Sequence, residues 1–202
     1  MVRTALVVAL LSASRFAAAG PGGLAAMVGI GVSAENDGNG DTGFGVTLDG
    51  VLAVRVAPRL SLGIRGSIGT PFHINDVQLG GGYYDTAIYD YYITPIDLAI
   101  TALYQYRRIW VAPWIGEHFS FVAENDSGYI QGESQAGSET RLNTDFVMVG
   151  LTVGVDLYRF GGNTLAVYAD YRDSLESNAS PSDGAGYTNW SALTVGVALH
   201  RP

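Results

Sequence analysis

His118 and Ser120 have the residue types from which a hydrolytic nucleophile is built. A serine hydroxyl becomes reactive when an imidazole takes its proton and a carboxylate orients that imidazole. Hairpin pairing would set Asp145 across from Ser120 as the third member. A second run, Glu35-Asn36-Asp37-Gly38-Asn39-Gly40-Asp41, spaces oxygen ligands as a hard cation prefers. It departs from the helix–loop–helix calcium pattern, with Thr42 in place of the required glycine and Leu48 in place of the bidentate glutamate. A tight polar hairpin loop accounts for it better. His73 and His200 stand alone, and no zinc spacing exists. Gly29-Ile30-Gly31 lacks the third glycine of a nucleotide fingerprint. The chain has no cysteine, so thiolate chemistry and disulfides are excluded. No catalytic residue, metal or cofactor is expected.

The elements that carry these residues are eight alternating segments. They run Leu24–Glu35, Gly43–Val56, Leu60–Thr70, Asp90–Tyr106, Trp110–Val122, Leu142–Leu157, Thr164–Leu175 and Thr188–Leu199. In the sixth, Val147, Val149, Leu151, Val153 and Val155 alternate with Met148, Gly150, Thr152, Gly154 and Asp156. Period two means strands. The connections alternate in length. Asn36–Thr42, Pro71–Tyr89, Ala123–Arg141 and Glu176–Tyr187 are loops, while Ala57–Arg59, Arg107-Arg108 and Tyr158–Asn163 are turns. A membrane barrel has two such unlike ends, with brief periplasmic turns and longer outer loops.

Periodicity alone leaves open which face is the core. Three features point to an apolar exterior. The segments are longer than the usual five or six residues. The polar face is mostly Gly, Ala, Ser and Thr, with isolated charges and no lysine anywhere. Aromatic residues gather at strand ends, as interfacial girdles require: Tyr91, Tyr92, Tyr104, Tyr106, Trp110, Tyr158, Phe160 and Trp190. An eight-stranded barrel is filled by its own side chains. Asp49, Arg55, Arg65, Asp97, Glu117, Asp156, Asp170 and Arg172 are therefore expected to form a paired network in the lumen. The fold class expected is all-β, an eight-stranded antiparallel up-and-down transmembrane barrel.

Residues 1–19 read as a signal peptide, with Arg3 at the start, an apolar stretch over 5–11 and small residues Ala17 to Ala19 before a cut at Gly20. Residues 20–202 form one barrel domain. The net charge of −8, with eleven basic residues dispersed along the sequence, excludes a nucleic-acid binder. Of the loop residues, Tyr83 and Tyr84 are the recognition candidates, because tyrosine gives a large amphipathic contact at small entropic cost.

The layout resembles the small eight-stranded outer-membrane barrels, the OmpA-like and OmpX-like transmembrane domains. Pro113-Trp114-Ile115-Gly116 is similar to the Pro-Tyr-x-Gly opening of a mid-barrel strand in that family. The ending departs from it: Leu199-His200-Arg201-Pro202 replaces the usual terminal aromatic residue. The resemblance implies a bacterial outer-membrane location. The function expected is a non-enzymatic monomeric scaffold among outer-membrane lipid and lipopolysaccharide, displaying acidic, Gly- and Tyr-rich loops to an extracellular ligand for envelope integrity or adhesion, a role that fold analogy alone does not establish. Three alternatives compete with it. His118-x-Ser120 resembles the His-x-Ser pair of outer-membrane lipid A deacylases, though Phe121 replaces the asparagine that follows. The others are a small pore and a soluble lipocalin-like carrier.

Overall fold

Alternating side chains and brief turns fold the described residues into strands alone. The computed structural model describes residues 23–36, 42–79, 86–130, 133–175 and 191–201, and within 72–91, 122, 124–139 and 141–146 it describes the backbone. The strands are β1 Leu24–Asn36, β2 Thr42–Ala57, β3 Leu60–Gly69, β4 Phe72–Leu79, β5 Thr86–Tyr106, β6 Ile109–Ile130, β7 Glu133–Phe160, β8 Asn163–Ser174 and β9 Ser191–Arg201. Every pairing is antiparallel, and the β1–β9 pairing together with the β3–β5 pairing closes the sheet on itself. β3 and β4 lie end to end along β5, so nine strands make an eight-position barrel. Their ladder breaks between Gly69 and Phe72, opposite Thr94 and Pro95. Pro71 and Pro95 both lack the N–H that a continuous ladder would use there.

The short connections follow turn chemistry. Gly161 and Gly162 have φ of 54° and 86° between the paired residues Phe160 and Asn163. Two positive-φ central residues make the primed hairpin turn that matches strand twist, and glycine adopts it without strain. Arg107-Arg108 closes the β5–β6 hairpin between Tyr106 and Ile109.

The apolar face is outside. Ile100 is 65 % exposed and Val195 57 %, whereas Asp49 is 1 % and Arg65 3 % exposed. Leu151 and Val153 point outward with them. The barrel is thus the inverse of a soluble one, and the carrier reading, which needs an apolar interior, is contradicted. Exposed aromatics mark two levels. Phe44, Tyr92, Phe121 and Tyr171 lie toward the loop end, and Tyr104, Tyr106, Tyr158 and Phe160 toward the turn end. From Tyr92 to Tyr104 along a tilted strand is roughly 28 Å of height, close to the ~25 Å apolar band of such barrels.

Two connections expected as loops are largely hairpin. β4 pairs with β5 from Leu79↔Thr86 downward, and β6 pairs with β7 up to Ile130↔Glu133. Residues such as Asn125, Asp126, Ser127 and Gly128 carry turn-like composition. The ladder below nevertheless continues through them in register. Residues 124–139 are mostly polar or small, so no apolar–polar alternation marks that extension in the sequence. The leader 1–19, the calcium-like run from Asp37 to Asp41, Tyr83, Tyr84 and Trp190 lie outside the described residues.

Candidate functional site

The inward positions of all eight barrel staves converge on one column of buried polar groups. The middle layer centres on Arg65 of β3. Its Nη2 donates to Asp49 Oδ1 at 2.8 Å and to Asp170 Oδ2 at 2.7 Å. Neutral donors satisfy the remaining carboxylate oxygens. The Tyr168 hydroxyl donates to Asp49 Oδ2 at 2.6 Å, while Thr152 Oγ1 and Trp114 Nε1 donate to Asp170 Oδ1 at 2.6 and 3.1 Å. The Arg65 guanidinium also lies 4.3 Å from the Trp114 ring centroid, a cation–π contact strengthened by the burial of both groups.

The layer nearer the loops centres on Asp97 of β5. Arg172 pairs with it, Ser67 Oγ donates to its Oδ2 at 2.6 Å, and His118 Nδ1 lies 2.7 Å from its Oδ1. Arg172 also reaches Glu35 Oε1 at 3.5 Å, and Ser33 Oγ donates to the same oxygen at 3.1 Å. In these two layers four carboxylates face two guanidiniums. The hydroxyl, indole and imidazole groups make up the difference, as buried charge requires.

The layer nearest the turns holds Asp156, His200 and Trp110. His200 Nε2 lies 2.6 Å from Asp156 Oδ1, Gln105 Nε2 donates to Oδ2 at 3.2 Å, and Arg159 reaches Oδ2 at 3.6 Å. Trp110 packs at 5.8 Å from the His200 ring.

Glycine makes room for this filling. Trp114 faces Gly150, Trp110 faces Gly154, and Tyr168 faces Gly196 across the ladders. A Cβ at Gly150 or Gly154 would collide with the indole opposite. A Cβ at Gly29 would stand 2.9 Å from the Tyr168 ring. Large inward rings therefore alternate with bare backbone on adjacent strands.

Of the expected lumen set, Asp49, Arg65, Asp97, Asp156, Asp170 and Arg172 are buried inside, and Arg55 lies half-buried on the same face near the turn end. Glu117 does not belong to it. It is exposed on the outer face, and His118 takes the inward place. Glu117 and His118 are both polar, so parity could not be read from them; Trp110, Ala112 and Trp114 set it. Trp110 is likewise no girdle residue, being 1 % exposed in the lumen. Tyr92, Tyr104, Tyr106, Tyr158 and Phe160 are exposed outside, and the side chain of Tyr91 is beyond the description. Asp145 is not across from Ser120. A bulge at His118/Phe119 leaves Asp145 as the extra residue and sets Ser120 opposite Asn143. His118 finds its carboxylate in Asp97 instead. Glu35 and His200 joined the network without having been expected there. The signal was available in their phase, since His200 falls in step with the inward Gly196 and Ala198.

Several solved barrels are similar to this chain. A major outer membrane protein from Thermus thermophilus is 17 % identical, with a TM-score of 0.50, covering 88 % of this chain and 99 % of that one. The attachment invasion locus protein of Yersinia pestis is 11 % identical with a TM-score of 0.48, covering 90 % and 99 %. Neisserial surface protein A is 11 % identical with a TM-score of 0.46, covering 88 % and 96 %. No protein-family model and no curated protein matches the chain. The fold is that of the small eight-stranded outer-membrane barrels.

Proposed function

We propose that the protein is a non-enzymatic bacterial outer-membrane barrel, a rigid scaffold displaying acidic, glycine- and tyrosine-rich loops for envelope integrity or adhesion. The observation that carries this reading is the filled lumen beneath an apolar exterior. Trp114, Tyr168, Arg65 and Arg172 fill the interior in contact with carboxylates, and Trp110 fills it beside His200. Such packing supports a plug, and exposed loops on a rigid frame are where recognition resides. The barrel sits as a monomer among lipopolysaccharide and phospholipid.

The rival with a specific observation behind it is a hydrolase, because Asp97 orients His118 two residues from Ser120. Both His118 and Ser120 face the lumen, away from any lipid acyl chain. That orientation favours a structural role for the pair. Outer-membrane fractionation with heat-modifiability on a gel tests location and closure together. Ser120→Ala is expected to leave lipid A unchanged, and planar-bilayer recording is expected to show no steady conductance. Loss of a lipid A acyl chain dependent on Ser120, or a stable open level, would replace the scaffold reading.

A further inference from the structure

The turn end of the barrel carries a charge unlike the rest of the chain. Arg55, Arg59, Arg107, Arg108, Arg159 and Arg201 gather there, although the protein as a whole has a net charge of −8. Asp156 is the sole carboxylate among the described residues of that end. Between the β5–β6 turn and the end of β7 lies a cleft of about 420 Å³ lined by Arg107, Arg108, Asp156, Leu157, Tyr158 and Arg159. Both oxygens of Asp156 are already engaged by His200, Gln105 and Arg159. Its carboxylate therefore steadies Arg159 and leaves the cleft with an excess of guanidinium.

Two details set this cleft apart from a chance surface patch. Arg107 has φ of 57°, the one positive-φ non-glycine residue among those described. A positive-φ turn position favours Gly or Asn, and an arginine there is held at a conformational cost. Strain kept at an exposed position points toward use of the side chain. The turn is also pinned, because the Asp156 N–H donates to the Arg108 carbonyl at 2.7 Å, fixing the two sides of the cleft relative to each other.

The cleft opens where the barrel meets the membrane interface. Tyr106 and Tyr158 stand at the same level, with the Arg107 guanidinium 5.4 Å from the Tyr106 ring. Leu157 forms one wall and is itself exposed on the lipid-facing side, continuing into Val155 and Ile109, which pair across the β6–β7 ladder. A ligand that fills this site needs an anionic head for the guanidiniums and an apolar tail for that strip. Guanidinium forks match phosphate oxygens two at a time.

The geometry points to a site for one anionic phospholipid of the adjacent leaflet, its phosphate held by Arg107, Arg108 and Arg159 and its acyl chain lying along Leu157, Val155 and Ile109. The inference rests on the membrane-barrel reading and adds a specific ligand class to it.

The test uses the folded protein in nanodiscs containing equal amounts of phosphatidylglycerol and phosphatidylcholine, with retained lipid identified by native mass spectrometry. Phosphatidylglycerol is expected to be retained preferentially. The variant Arg107→Gly/Arg108→Gln/Arg159→Gln is expected to lose that preference, by roughly five-fold in affinity per guanidinium removed. Glycine relaxes the turn, so this variant is expected to stay heat-modifiable. Arg55→Gln, outside the cleft, is expected to behave as the parent. Added inorganic phosphate is expected not to displace the lipid, since it lacks the tail. An intact barrel with no preference for phosphatidylglycerol, a preference the triple variant keeps, or displacement by inorganic phosphate would overturn the lipid site alone. A chain that never becomes heat-modifiable in membranes would overturn the barrel reading as well.

Discussion

Gly150 lies directly across the β6–β7 ladder from Trp114, and the indole occupies the space that a side chain at 150 would need. That ring in turn donates to Asp170 and stacks under Arg65. One missing side chain thus positions the centre of the polar column.

Gly150→Ala is therefore expected to destabilise the barrel by about 1–3 kcal/mol, the usual range for overpacking a tight interior. Gly154→Ala is expected to do the same through Trp110. Gly66→Ala is the control, since its Cβ would meet only Leu98 Cδ2, at an ordinary 3.6 Å, and the Asp97 carbonyl oxygen at 3.8 Å. Urea midpoints of refolding into vesicles, followed by gel mobility, separate the three.

Arg65 bridges two carboxylates that neutral donors alone cannot offset. Arg65→Met is expected to cost about 3–5 kcal/mol, because it strands buried charge at Asp49 and Asp170. Adding Asp170→Asn to Arg65→Met is expected to restore part of that loss. A double-mutant cycle on the same unfolding curves measures the coupling, and strict additivity would mean that the pair is energetically silent.

The lipid face gives a depth-dependent expectation. Leu151→Arg, between the two aromatic levels, is expected to cost about 2–4 kcal/mol, whereas Phe160→Arg, at the turn-end level, is expected to cost about 0–1 kcal/mol. Equal costs at the two positions would mean that the band between the girdles is not hydrocarbon. Unfolding free energies of the two variants in the same vesicles make the comparison.

How far these features could be read from residues alone depended on phase. Asp49, Arg65, Asp97, Asp170 and Arg172 fall in step with small residues on strands whose other face is aliphatic, so their inward direction follows from period two. Glu117 and His118 are adjacent polar residues, and the strand's direction there came from Trp110 and Trp114 instead. Trp110 resembles a girdle residue by its place at a strand start, and only Gly154 across the ladder explains its burial. The partners of each charge were hidden for a different reason. Arg65 reaches Asp170 across the lumen from a strand far away in sequence, and a pattern local to one strand carries no trace of that meeting. The hairpin extension of β6 and β7 was hidden because residues 124–139 are mostly polar or small and carry no alternation.

The absence of cysteine from the chain allows the direction of every strand to be measured with single spin labels. Labels at Leu151, Ile100 and Val195 in membrane-inserted protein should relax strongly with dissolved oxygen and weakly with a water-soluble nickel chelate. A label at Thr152, one residue from Leu151, should be sheltered from both. Chelate access at Leu151, Ile100 and Val195 together with oxygen access at Thr152 would mean that the barrel is turned the other way round.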